Sequence, residues 1–486
     1  MLKDKIISVY GKNIKKYNVQ INDSEIIVPV VPTHLSGVAP CFELAEGCSL
    51  TLNGNDFTSP VTGTLIDADG TATAFTVKAV EWGNSPLGEY GVFGDPGIIP
   101  LDGKFYIYPT TDGINGWQST LFHAFSSPDL LHWTDEGVLL DFADIPWTGG
   151  VMAWAPSAIE RNGKYYFYYS GGRYGWTETG RDGGRNIGVA VSDSPNGPFT
   201  DIGHPLVPAG TRRGQMIDPQ VYIDDDGTPY LYWGNGGLYV AKLADDMISL
   251  EGEIHTITPD HFTEGVFVIK RNGKYYFTWS EGNTERADYI VRWGVSDSPI
   301  ERPQGCEILI SRENAKDPRI MCTGHHSILN IPGTDAWIVC YHRFNIPTTV
   351  DVGEGLYAGS HREPAFDWLF FDENGNMLPV IPTLEGITEP VYYGIHTTGN
   401  VSECEGALIA DVTVMNNNAD GCVYLVFDVT SDGCPVYADK RQLYVDKFSS
   451  VSTKVTLPVP ANTKGLKVKI STVDENGITV CTPIYR

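Results

Sequence analysis

The stretch RNGKYYF occurs twice, at Arg161–Phe167 and again at Arg271–Phe277. A chance repeat of that length is improbable, so an architecture of repeated units is the first expectation. Three more segments share the design of a turn followed by an aromatic run: DGKFYIYPTT from Asp102, DGTPYLYWGNG from Asp226 and GTDAWIVCYHR from Gly333. Asn-Gly and Asp-Gly favour tight hairpin turns because both residues tolerate positive φ. The aromatic run behind each turn reads as a buried strand. A spacing of roughly 45–65 residues leaves room for four strands and their loops per unit. AFSSPDLLHW near Ala124, AVSDSPNGPF near Ala190 and GVSDSPIERP near Gly294 repeat as the outer part of a unit.

Five such units predict an all-β fold with a five-bladed β-propeller over residues 85–385. The flanks lack the repeat. Residues 1–84 alternate apolar and polar in YNVQI, SLTL and TAFTVKAV, and residues 386–486 do so in CVYLVFDV, STKVTLPVP and GLKVKIST. Each flank reads as a small immunoglobulin-like β-sandwich, cadherin-like at the N-terminus and fibronectin-like at the C-terminus.

The chain has 486 residues and a formal net charge of −26. That charge repels phosphates, which argues against nucleic acid and anionic membranes and suits a neutral ligand such as a sugar. No apolar run reaches the ~18 residues of a membrane span. The start, MLKDKIISVYGKNIKKYNVQ, has no signal-peptide pattern. Flanking sandwiches predict a secreted protein whose signal is absent from this chain, with the cytosol as the alternative; a monomer is expected. The nine cysteines form no CxxC pair. Reduced thiols are expected, with Cys41–Cys48, or a pair among the last four, as bridges if the protein is exported.

A propeller gathers the starts of its innermost strands around one funnel. Three acids stand at such points: Asp95 in VFGDPGIIP, Asp218 in QMIDPQVYIDDDG and Glu264 in FTEGVFVIKRNG. Each precedes an apolar strand, where a carboxylate is costly unless paired, hydrated or used. Any one of them alone reads more simply as a turn residue; the repeated context makes them a candidate site. Asp224–Asp226 reads as a turn. Two or three carboxylates around a pocket rich in Trp suggest glycoside hydrolysis, with one acid protonating the leaving oxygen and one carboxylate activating water. Trp117, Trp147, Trp154 and Trp176 are candidate platforms for sugar faces, each also readable as packing.

In combination, GDPGI, AWAPSAI, MIDPQVYIDDDG, TEGVFVIKRNGKYYF and TGHHSIL resemble glycoside hydrolase family 43, inverting propeller enzymes of arabinose- and xylose-containing plant polysaccharides. The resemblance implies Asp95 as general base, Glu264 as general acid, and Asp218 as the residue that orients the acid. An ionised Asp218 would keep Glu264 protonated. It further implies that Trp154 and Trp117 line the substrate pocket, that Arg362 in SHREPAFDW contacts the sugar, and that His325 lies beside an axial calcium or other cation not required for chemistry. Invertase-type propellers are similar, but they carry an Asn-Asp-Pro-Asn start and a Glu-Cys acid motif where this chain has GDPG and TEG.

The implied activity is that of an exo-acting α-L-arabinofuranosidase, with or without β-xylosidase activity, on cell-wall arabinoxylan, arabinan or their oligosaccharides. The long segments from Gly172 and Arg343 are expected to wall a pocket. An endo-α-1,5-arabinanase is the alternative enzyme, and a non-catalytic carbohydrate-binding propeller is the alternative of another class.

Overall fold

The computed structural model describes residues 2–485 apart from 12–13, 15–18, 31–37, 82–83, 89, 115, 173–184, 333, 350–352, 388–390, 392–393, 405–406, 417–420, 446–448, 461–462 and 474–483. The chain is all-β. Each repeated unit folds as one antiparallel sheet whose strands lie in sequence order, four strands in the first four sheets and three in the fifth. The first strands are Phe93–Leu101, Trp154–Arg161, Gln220–Ile223, Glu264–Arg271 and Gly324–Asn330. The aromatic runs are the second strands: Lys104–Thr111, Lys164–Gly171, Pro229–Trp233, Lys274–Glu281 and Trp337–Phe344.

The turns that begin each motif join first strand to second. Asp102, Asn162 and Asn272 adopt φ of 48°, 55° and 51°, and the glycines that follow are also left-handed. No atom lies within 4 Å of a Cβ built on Gly103, Gly163 or Gly273. Backbone conformation, not space, therefore requires glycine there. Asp224–Gly227 forms the corresponding turn of the third sheet, with Gly227 N–H donating to Asp224 O.

The runs are aromatic or apolar on both faces through their middle because both faces of each second strand are buried. Tyr106 and Tyr108 pack with Phe167 and Tyr169 between sheets one and two. Tyr168 meets Leu231 and Trp233 between two and three. Tyr230 and Tyr232 meet Phe277 and Trp279 between three and four. Tyr276 meets Val339 and Tyr341 between four and five, and Ile338 and Cys340 meet Phe105 and Ile107 between five and one. Alternate residues thus serve alternate gaps, as period-2 geometry demands.

At the mouth of each first strand one residue is left-handed: Asp95 (φ 46°), Ala155 (43°), Asp218 (58°), Gly265 (61°) and His325 (37°). Pairing register shifts at the same point in sheets one, two, four and five. Such a bulge re-aims side chains. It also takes the residue's N–H off its own ladder, and the neighbouring sheet accepts it. Ala155 N donates to Thr110 Oγ1 (2.8 Å), Asp218 N to Ser170 Oγ (2.9 Å), His325 N to Ser280 Oγ (2.9 Å) and Asp95 N to His342 Nδ1 (3.2 Å). Each acceptor lies near the end of the preceding sheet's second strand. Gly265 N instead donates to the carboxylate of Asp218 at 3.2 Å.

The chain enters and leaves this region side by side. Asn84 N–H donates to Leu384 O, and its side-chain amide joins Thr383 O and the backbone N–H of Phe366. Arg343, wholly buried, donates to Glu363 (2.9 Å), Thr383 O and Asn84 O.

Before residue 84, a five-stranded and a two-stranded sheet share a core that includes Ile26, Val28, Phe75 and Val77. From Ile395 on, a three-stranded and a four-stranded sheet enclose Val412, Leu425, Phe427 and Val455. The seven cysteines whose side chains are described, Cys41 and Cys48 among them, are free thiols. Among the described residues, no helix is long and apolar enough to cross a membrane.

Replacing Arg343 by Met strands the Glu363 carboxylate in a dry interior. Losing one partner of a buried pair costs about 3–5 kcal/mol, so urea unfolding of the variant should show that loss. A midpoint unchanged from the parent would show that the entry and exit strands are held some other way.

Candidate active site

All three acids, Asp95, Asp218 and Glu264, line one cavity of ≈ 500 Å³ together with Trp117, Trp154, His325 and Arg362. The candidate acids, His325, Arg362 and two of the four candidate tryptophans therefore reach the same space. Trp147 does not. It stacks on Tyr169 (6.0 Å) and donates to Asp201 (3.0 Å), so it serves packing within the second sheet. Trp176, and most of the segment from Gly172, lie outside the described residues.

Asp95 is buried on a cationic floor. Arg362 Nη1 donates to Oδ1 at 2.5 Å and Nη2 to Oδ2 at 3.1 Å. The same guanidinium grips Asp112 through Nε (2.7 Å) and Nη2 (2.8 Å). Arg362 was expected to meet a sugar directly; its side chain is instead buried and engaged with two carboxylates. Thr110 Oγ1 donates to Asp95 Oδ2 at 2.8 Å, and His325 Nδ1 lies 3.3 Å from Oδ1. Burial pushes the Asp95 carboxyl up, but Arg362, with His325, outweighs it and holds it well below the usual carboxylate range. Asp95 is therefore ionised throughout the neutral range.

Burial, with Arg362 opposing protonation, pushes His342 down to about 3, so it is neutral. Its Nδ1 accepts from Asp95 N–H, which places the ring proton on Nε2, facing Thr284 Oγ1 at 3.4 Å.

Glu264 opens the fourth sheet and is half-buried. Tyr289 Oη donates to its Oε1 (2.8 Å) and Asn235 Nδ2 to its Oε2 (2.6 Å). Asp218 is buried, with Gly265 N–H as a donor. Burial pushes its carboxyl well above the usual range, reinforced by the nearby Glu264 and Asp95 charges and only partly opposed by Gly265 and Arg185. An ionised Asp218 beside a protonated Glu264 was expected. Asp218 is instead pushed toward its protonated form, because it is dry and lies near two other carboxylates.

The aromatic walls are tied down. Trp154 Nε1 donates to Trp117 O (2.9 Å), and Trp117 Nε1 to Glu285 Oε1 (3.3 Å). Arg362 lies over the Trp117 ring at 5.1 Å and Arg185 over Trp154 at 4.6 Å.

Sequence reading missed Asp112, His342, Tyr289, Asn235, Arg185 and Glu285. One signal was available. A polar residue near the end of four of the five aromatic strands, as in YPTT, YYSG, TWSE and CYHR, marks Thr110, Ser170, Ser280 and His342. The others lie in loops that follow no repeat.

A calcium ion takes six to eight oxygen ligands, and the side chains around His325 do not supply that set. Both Asp95 oxygens are on Arg362, and among the described residues no three His, Cys, Asp or Glu side chains are grouped to hold a metal.

Carboxylates gathered in an aromatic-walled cavity are the equipment of glycosidic bond cleavage, and the chain is a glycoside hydrolase. Residues 90–377 match the model of glycosyl hydrolases family 43, and the chain belongs to that family. It is 36% identical to a β-D-galactofuranosidase, xynD, of Aspergillus niger, over 61% of this chain and 85% of that one. It is 33% identical to xylosidase/arabinosidase 43A of Humicola insolens, over 53% of this chain and 89% of that one. Among solved structures, the GH43_1 enzyme from Xanthomonas citri complexed with xylotriose is 28% identical, with a TM-score of 0.50 over 62% of this chain and 94% of that one.

Glu264→Gln removes the nearest negative charge facing Asp218. The Asp218 titration should then move to lower pH, read from the protonated-carboxyl band in infrared difference spectra. An unmoved band would mean that the Glu264 charge does not act on Asp218.

Proposed function

We propose that this hydrolase is an inverting, exo-acting enzyme that releases terminal pentoses from arabinoxylan, arabinan or their oligosaccharides. It is an α-L-arabinofuranosidase, with or without β-xylosidase activity. The observation that carries the exo reading is the bond between Trp117 and Glu285. These residues come from the loops after the second strands of sheets one and four, which are not neighbours. Their contact, backed by Trp154, closes that side of the cavity, where an endo-acting enzyme needs an open groove.

In this reading the five sheets are blades of a propeller, supported by the five apolar clusters that link consecutive sheets and the fifth to the first. Residues 1–84 and 386–486 are separate domains, supported by their own cores, and the protein works outside the cell as a monomer.

The chemistry follows from the charges. Asp95, always ionised, takes a proton from a water whose oxygen attacks the anomeric carbon. The bond from that carbon to the leaving oxygen breaks, its electron pair stays on the oxygen, and Glu264 supplies the proton from the opposite side. Asp218, on the same cavity, orients the acid.

Sugar identity is read from the relatives' names. L-arabinofuranose and D-galactofuranose share their ring configuration and differ at the exocyclic carbon, so an aryl galactofuranoside belongs in the substrate panel with the arabinofuranoside and the xyloside. Turnover of the arabinofuranoside is expected. Asp95→Asn and Glu264→Ala should each lower kcat about 10²–10⁴-fold while leaving product binding largely intact. A ladder of oligosaccharides from linear arabinan would reject exo action, and an inert parent enzyme on every pentoside would reject the pentosidase reading.

A further inference from the structure

The two hydrogen bonds on Glu264 are not equivalent. Asn235 presents its nitrogen to the acid, because its Oδ1 accepts from Gln215 Nε2 at 3.3 Å. An amide nitrogen can only donate, whereas a phenol can donate or accept. When Glu264 gains a proton, Tyr289 is the partner that can reverse its bond and remain in contact.

Tyr289 is built in firmly. Its side chain is fully buried. Its ring stacks on His342, with centroids 5.6 Å apart and planes within 12°. Gly324, at the start of the fifth sheet, leaves room for it: a Cβ there would lie 2.2 Å from Tyr289 Cδ1 and Cε1. His342 in turn accepts the backbone N–H of Asp95 and lies beside His325, 6.0 Å between centroids. Two stacked rings therefore connect the residue that holds the acid to the residue that holds the base.

We propose that Tyr289 is a positioning residue for the general acid. It keeps Glu264 aimed at the leaving oxygen in both protonation states, at a separation from Asp95 set by its stack on His342. The inference rests on the assignment of Glu264 as the acid. It explains why the fifth sheet opens with Gly324: any side chain there displaces the phenol ring.

A positioning role has a signature that a packing role lacks. A nitrophenolate departs with little help from a proton, whereas a sugar alkoxide needs one. Tyr289→Phe keeps the ring and its stack but removes the hydroxyl. With the pentose that the parent enzyme cleaves, kcat/KM for the corresponding disaccharide should fall about 10- to 100-fold, a fraction of what full acid catalysis supplies. For the 2,4-dinitrophenyl glycoside the fall should be under about threefold. Gly324→Ala, which keeps the hydroxyl but displaces the ring, should show the same selectivity. Equal losses on both substrates would assign Tyr289 to packing alone and overturn the proposal, as would no loss on either. A parent enzyme inert toward every pentoside strikes the functional reading itself, which separates the two failures.

Discussion

A backbone N–H taken out of its ladder and buried must find another acceptor, and that requirement organises the centre of this molecule. At the mouth of each first strand a left-handed residue turns its N–H toward the neighbouring sheet. Thr110, Ser170, Ser280 and His342 accept four of these groups and the Asp218 carboxylate accepts the fifth. The bonds pin each sheet to the one before it. The same left-handed residue position carries Asp95, Asp218 and His325 to a common space. Architecture and site are therefore one device: the residues that lock the sheets together are those that present the acids, or those that touch them.

Electrostatics then gives the acids different work. Asp95 rests on a guanidinium that it shares with Asp112, and so it stays charged despite burial. Among the described residues Asp218 has no arginine or lysine at bonding distance, only His325 Nδ1 at 3.9 Å from its Oδ2, and it lies near two other carboxylates. Its high affinity for a proton is the consequence of dryness and like charge together. Glu264 is half-buried and holds two donors, Tyr289 and Asn235. Three carboxylic acids with the same ordinary affinity for protons are thus set in three different surroundings.

Much of this was legible in the sequence. The repeated turn-plus-aromatic motif gave five sheets, since a strand buried on both faces must be aromatic or apolar on both through its middle and a tight turn must carry Asn-Gly or Asp-Gly. The acids were legible because each interrupts an apolar context at an equivalent point. The supporting residues were not. Asp112, Tyr289 and Asn235 act through contacts between segments far apart in the chain, and nothing in local pattern marks them. Arg362 was placed at the site, but its ties to Asp95 and Asp112 were not legible, because those partners lie about 250 residues away. The upward push on the Asp218 carboxyl depends on burial, which a sequence does not state. Trp147 shows the converse error: an aromatic in a loop near the site that packs inward.

The central claim is that Asp95 and Glu264 stand on opposite sides of one glycosidic bond with a water between Asp95 and the anomeric carbon. The direct measurement is proton NMR of the sugar released in the first minutes of hydrolysis of an aryl α-L-arabinofuranoside, before mutarotation blurs the anomers. The account predicts that the β-anomer appears first. Initial release of the α-anomer would contradict it, since retention requires a covalent intermediate that this arrangement of base, water and acid does not form.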